Sequence, residues 1–525
     1  MTLQQNQSEA EQLDDLFVTF ARTLLSHMEE WATTEQVPLT YHLNTDFYED
    51  VRSDEPDSEY VDWHHEREEK RDYRAMLNRH GQDPLWRKEE VQACIQCWKA
   101  RIGKPYSFDP SLDLENPSIW IHVPTGAIAS SAYMLNELVT PILDLVERHN
   151  TLNPTREQLL ESLHKFTDKH TAPYILWDIS IPLLSFRSNL QHEEILGSFR
   201  LAPFSIGEKA DTWNAFDNAP IEERRAMPVH IGDFAGAAFH LTYTRTVQRD
   251  VYEKQPYIFE RIEKLHAAAR GDIPLHLTAM VIELNNIITA LRLVKSGSLE
   301  ALGIFERLRT GFPVGKADLI YVLNNRRRHQ YGNTYFLNEA DLPAIRRCFD
   351  QLQSLHLLGA NANQSQGQLS VALRRFNQAY ERDLREDRII DLTIALESCL
   401  LADVSDGELN YRLTLRGAAL LAQARLWKPA RAQSLLKAIY AIRSAIVHEG
   451  QQLTNLGGKQ RKILQKLEIS PEEFPQQCEN IVRDILRTYL HRLSQGETTR
   501  MVCAGLESYI VQSFTVEAGE ETAYH

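Results

Sequence analysis

An arginine and a histidine near the end of one apolar stretch carry the chemistry that this sequence offers most plainly. They are Arg443 and His448, in Ala438-Ile-Tyr-Ala-Ile-Arg-Ser-Ala-Ile-Val-His-Glu-Gly450. A guanidinium presents a fork of donors that matches phosphate oxygens. An imidazole titrates near neutrality and can take or give a proton. With no carboxylate cluster beside them to hold a metal, the two suit metal-independent cleavage of RNA. The imidazole would accept the proton of a 2′-hydroxyl or protonate the leaving oxygen, and the arginine would stabilise the charged phosphorane.

The element that must position them is a helix. Leu435, Ile439, Ile442 and Ile446 recur at the spacing of one buried helix face, and Gly450 supplies a stop. Arg443 and His448 fall on its last two turns, about 140° and roughly 7.5 Å apart, so they work together at a helix end or across a symmetric interface. In the last turn His448 meets the negative end of the helix dipole, which favours the imidazolium.

The same spacing recurs at Arg22/His27, Arg187/His192, Arg225/His230 and Arg261/His266, so the surroundings must decide. Helical periodicity precedes the candidate helix at Val371 to Leu384, Arg388 to Leu401 and Glu408 to Ala422, and follows it at Glu473 to Leu493. These stretches carry, in order, Arg375-Phe376, Ala395-Leu-Glu397, Tyr411-Arg-Leu413 and Ile442-Arg-Ser-Ala-Ile-Val-His448.

That succession, over residues 366–495, resembles the Apea-like branch of the HEPN superfamily. The resemblance implies an all-α helical bundle that dimerises and cuts RNA without metal or other cofactor, with Arg443 and His448 as the catalytic pair meeting across a homodimer. It implies a setting in bacterial defence against phage, by abortive infection. RNA would be the partner, tRNA among the candidates, with a phage-derived trigger sensed by the N-terminal half. The family often has Asn or Asp after the arginine; here Ser444 stands in that place. Glu397 is either an ion-paired surface carboxylate or a support that orients Arg443 or His448. Arg412 and Arg416 share one helix face and either pair with acids in the bundle or flank an RNA groove. The alternative function is a non-catalytic dimerisation or nucleotide- or RNA-binding module in a sensor protein.

Composition sets the frame. The 525 residues, 43 % of them apolar, can build several ordinary cores. No run of about 18 apolar residues occurs and the first residues are polar and acidic, so a cytoplasmic protein with no membrane span is expected. Six scattered cysteines do not form a disulfide framework. Cys94-Ile-Gln-Cys97 is a lone pair, short of the four ligands zinc needs, and packed helix cysteines are the expectation. The formal charge of -15 is uneven. Residues 1–70 hold 18 Asp and Glu against 4 Lys and Arg, whereas residues 366–500 hold 16 against 20. A locally basic module in an acidic chain can still bind nucleic acid. No GxxxxGK[ST], GxSxG or HExxH occurs, which leaves an NTPase, a serine hydrolase or a zincin unsupported.

The whole is expected to be an α+β multidomain protein with a mixed N-terminal half around a β core. Residues 1–105 read as an acidic helical region: an amphipathic helix at Leu13–Trp31, a solvated acidic loop at Asn44–Asp62 that is either a plain surface loop or a segment covering the basic nuclease surface, and exposed helices at Tyr60–Arg79 and Arg87–Arg101. Residues 106–250 read as a mixed α/β sensor domain, with strands at Ser118–Val123 and within Tyr174–Val247 and helices at Ser131–Arg148 and Arg156–Asp168. Residues 251–360 read as a helical connecting region whose spine is Ile273–Ser296. Arg326-Arg-Arg-His329 is a basic loop, Gly359–Gly367 a linker, and residues 496–525 a C-terminal tail with a short docking element.

Overall fold

A computed structural model describes residues 3–50, 60–80, 84–102, 130–149, 151–190, 192–217, 231–248, 278–308, 317–321, 334–357, 367–403 and 408–521. The expected elements at 118–123 and 326–329, the linker residues 359–366 and the centre of the acidic loop lie outside these residues.

Helices α1 (Leu3–Thr34), α2 (Tyr73–Arg79), α3 (Glu89–Ile102), α4 (Ser130–His149) and α5 (Arg156–Thr171) enclose one core. Phe17, Phe20, Leu24 and Met28 of α1 pack there with Trp98, Ile142 and Leu163, the face that the apolar spacing of α1 dictates. Thr155 starts α5 with a capping box: its hydroxyl accepts from the Gln158 N–H, and the Gln158 side chain accepts from the Thr155 N–H at 2.8 Å. Cys94 is buried and Cys97 half-buried on α3, and burial pushes the Cys94 thiol up to about 12. Among the described residues no group of three or more His, Cys, Asp or Glu side chains could hold a metal ion.

Two expectations here need correction. Asn44–Asp62 is not simply a loop, and Tyr60–Arg79 is not a helix. Strands β1 (Leu39–Asp50) and β2 (Tyr60–Arg71) pair antiparallel from Leu39↔Arg71 to Asp50↔Tyr60, and only Tyr73–Arg79 is helical. Tyr41, Thr45, Phe47, Val61 and Trp63 are strand-forming types, and the density of charge masked them. Asp46 faces His64 across the ladder, their side chains 3.9 Å apart. The Asn214 side chain fixes β1, accepting from the Thr45 N–H at 2.9 Å and donating to its carbonyl at 3.3 Å.

The β core forms as expected, with β3 (Tyr174–Leu184), β4 (Phe186–Ser188), β5 (Glu194–Leu196), β6 (Phe199–Pro203) and β7 (Phe239–Gln248). Helices α6 (Ile206–Asp217) and α7 (Ile231–Gly236) lie between β6 and β7 in the chain. The stretch expected to be a helical connector does hold α8 (Thr278–Val294) and α9 (Leu342–Ser354). It also supplies β8 (Glu300–Ala301), β9 (Ile304–Leu308), β10 (Ala317–Tyr321) and β11 (Tyr335–Leu337). The antiparallel sheet runs β10-β9-β3-β7-β6-β5, with β8 on the end of β3, while β11 pairs in parallel with β4. Residues 251–360 therefore complete the sheet rather than merely following it. One face, with Ile179, Ile181, Leu201 and Leu241, packs on α8 and α9; the other meets Phe204, Trp213 and Phe234 beneath α6 and α7.

The C-terminal residues are helical: α10 (Gly367–Ala379), α11 (Arg385–Leu400), α12 (Leu409–Gln423), α13 (Pro429–Glu449), α14 (Gly458–Leu467), α15 (Phe474–Ser494) and α16 (Thr499–Glu521). The short α14 was not anticipated. The tail is not separate either, since Val502 and Leu506 of α16 join the core. That core is continuous with the sheet through Val281, Leu284, Ile287 and Leu291 of α8. Buried polar groups tie the same joint. Arg292 of α8 donates to the Asn377 side chain at 3.0 Å and to the Leu299 carbonyl at 2.8 Å, and its own carbonyl accepts from Arg483 Nε at 2.7 Å. Glu479, buried on α15, accepts from Tyr380, Arg388 and Arg483. No helix among the described residues is long and apolar enough to cross a membrane.

Candidate functional site

Three helices build the site. Pro429 opens α13 at a position that needs no N–H. Its buried face, Leu435, Ile439 and Ile442, follows the spacing read from the sequence. Gly450 ends the helix in the left-handed region at φ 64°, and its N–H bonds back to the Ala445 carbonyl. His448 is thereby held in the last turn, exposed, with the helix carbonyl end behind it. Helix α12 enters α13 through a five-residue connection, residues 424–428, as an antiparallel hairpin. A Cβ on Gly417 of α12 would meet Leu436 at 2.6 Å and Leu400 at 3.2 Å, which sets how closely the three helices approach. The Leu453 N–H, just past α13, donates to Glu386 at 2.8 Å, so the start of α11 lies at the His448 end.

The bundle treats its arginines in two ways. Arg375 and Arg382 pair with Asp391, Arg388 and Arg483 with Glu479, Arg487 with Asp484, and Arg492 with Glu497. Arg443 is different. It is half-buried, its Nε is shielded from solvent, and among the described residues it makes no hydrogen bond or ion pair. A guanidinium in that setting is disfavoured unless something outside the chain satisfies it. Its charge acts on Glu397 of α11. Burial holds its carboxyl above the usual range, and the Arg443 charge partly offsets that. Glu397 makes no side-chain hydrogen bond among the described residues, nor do half-buried Ser444 and exposed His448. The Arg443 charge thus acts on Glu397, with Ser444 next to Arg443 and His448 on the following turn of α13, and among the described residues none of the four side chains makes a hydrogen bond or ion pair.

Arg412 and Arg416 are not at this place in the same sense. Arg416 is 1 % exposed and bonds Asp403 at 2.6 and 3.1 Å, the Leu400 carbonyl at 2.7 Å and Glu507 of α16 at 2.5 Å. Burial opposes its charge, but the Asp403 and Glu507 carboxylates outweigh burial and hold it above its ordinary value. The expectation that Arg416 flanks an RNA groove is therefore corrected: its fork is spent on the fold. Arg412, exposed, lies 3.7 Å from the same Glu507. The tail helix, set apart from the bundle in the sequence reading, supplies the acid that both arginines face.

Exposed apolar side chains gather at the same end: Leu384 before α11, Leu409 and Tyr411 at the start of α12, and Val447 beside His448. Of the recurrent arginine–histidine spacings, Arg22/His27 lies on α1, Arg187/His192 begins on β4, and the other two fall outside the described residues. No family model, curated protein or solved structure matches the chain.

Proposed function

We propose that the chain is a metal-independent endoribonuclease of the HEPN type, in which Arg443 and His448 act on the scissile phosphate. The observation that carries this reading is Arg443 itself, which among the described residues is a half-buried arginine without a hydrogen bond or ion pair in a bundle whose other buried and half-buried arginines are paired. A phosphate would supply the missing acceptor. His448 takes the proton of the 2′-hydroxyl as it attacks phosphorus, or returns one to the departing 5′-oxygen, giving a 2′,3′-cyclic phosphate and a 5′-hydroxyl. Glu397 feels the Arg443 charge without bonding it, and Ser444 is the next residue on α13. Exposed Leu384, Leu409, Tyr411 and Val447 would be covered by a second copy, bringing two Arg443/His448 pairs together. The N-terminal half would sense a trigger in defence against phage, and the cytoplasm would be its place.

The competing reading, a bundle that binds RNA or dimerises without catalysis, draws on Ser444, which stands where the family often has Asn or Asp. The two separate on variants. Arg443→Ala and His448→Ala should each stop RNA cleavage in EDTA while the protein still elutes as a dimer; a binding module has no cleavage to lose.

A further inference from the structure

Helix α14 carries Lys459, Arg461, Lys462 and Lys466 and no carboxylate. Gln460, Leu464 and Leu467 are buried, which turns all four cations outward, and all four are exposed. Lys459, Lys462 and Lys466 stand at i, i+3 and i+7, so they form one stripe over roughly 10 Å of the helix. Like charges at those spacings repel. Among the described residues none of the four has an ion pair or a side-chain hydrogen bond, although the chain as a whole carries a formal charge of -15 and has carboxylates in excess.

The placement of the stripe is specific. The Leu467 carbonyl, at the end of α14, accepts from Arg431 near the start of α13 at 2.6 Å. The Gly457 N–H, at the beginning of α14, donates to Gln451 just beyond the end of α13 at 2.9 Å. Helix α14 therefore runs back alongside the helix that bears Arg443 and His448. A row of unneutralised cations there is complementary to a polyanion.

We propose that α14 is the face on which the RNA backbone docks, with Lys459, Lys462 and Lys466 contacting phosphates of the strand delivered to Arg443 and His448. The delivery step rests on the nuclease reading above; the binding does not. Each contact to single-stranded RNA releases a counterion and adds about 0.7 to the slope of log affinity against log salt.

The test uses the full chain carrying His448→Ala, in EDTA, with fluorescein-labelled single-stranded RNA followed by anisotropy between about 50 and 200 mM salt. Adding Lys459→Gln, Lys462→Gln and Lys466→Gln should weaken binding by about tenfold at the lowest salt and make the slope shallower by about 2. Circular dichroism and apparent Tm should stay at the parent's values, because the three side chains are exposed. A matched change of charge elsewhere, Arg71→Gln with Arg79→Gln and Arg87→Gln, should leave binding nearly unaltered. No binding by the parent, unchanged or tighter binding by the α14 variant, or equal losses in both triple variants would each overturn the proposal. RNA that binds through α14 but is left uncut by the protein with His448 intact removes the nuclease reading and leaves the docking face standing.

Discussion

Replacing Arg443 with methionine separates a functional arginine from a structural one. The side chain is half-buried, and methionine preserves most of the volume of its stem. What is lost is a guanidinium whose Nε is buried and unpaired. A buried donor without a partner costs about 1–3 kcal/mol. Partial exposure lets water recover some of this, and Glu397 loses a nearby positive charge, so the net change should stay within about 1 kcal/mol of wild type. Arg416→Met is the control. It removes the cation held between Asp403 and Glu507 and strands two carboxylates, which should cost about 3–5 kcal/mol. Thermal unfolding of the three proteins side by side measures both, at about 2–4 °C of apparent Tm per kcal/mol for a unit of this size. RNA cleavage, measured in parallel, should vanish in Arg443→Met. If Arg443→Met falls as far in Tm as Arg416→Met, the arginine is structural and the reasoning fails.

Three further outcomes follow from the same geometry. Glu479→Gln leaves Arg388 and Arg483 without their shared carboxylate and should destabilise by about 3–5 kcal/mol in denaturant unfolding. Gly450→Ala forces a side chain into the left-handed region at φ 64°, at about 1 kcal/mol, and should lower cleavage by fraying the turn that holds His448. His240, stacked on Phe204 and bonded to Ser180 at 2.8 Å, has its pKa lowered from 6.5 to about 4 by burial, despite Glu208 at 3.9 Å. The unfolded chain then binds the extra proton. The stability this histidine supports is present above pH 6.5 and lost as pH falls towards 4, by up to about 3 kcal/mol. Urea midpoints at pH 7 and 4.5 should converge in His240→Asn.

The sequence exposed those parts of the fold whose apolar spacing is regular. Helices form over Leu13–Trp31, over Thr278–Val294 within the expected Ile273–Ser296, and, to within a few residues at their ends, around Arg443, because each buries one face on a core. The hairpin β1–β2 is hidden in the sequence because its residues include strand-forming types but also many charged ones, which obscure the alternation. Helix α14 was hidden by its brevity, although Ile463, Leu464 and Leu467 marked its inner face. The helix that carries Arg443, Ser444 and His448 was legible from the apolar spacing of Leu435, Ile439 and Ile442. That Arg443 would be unpaired and Arg416 paired was not, since the answer depends on Asp403 and Glu507, 13 and 91 residues away from Arg416. Ion pairing at such separation is a property of the packed bundle and leaves no mark on local pattern.

The most direct test is cleavage of total bacterial RNA in EDTA by the wild-type protein beside His448→Ala, in buffer and in lysate from phage-infected cells. The account predicts discrete fragments ending in 2′,3′-cyclic phosphate and beginning with 5′-hydroxyl from wild type alone. RNA left intact by wild type in both settings, or cut equally by His448→Ala, would contradict it.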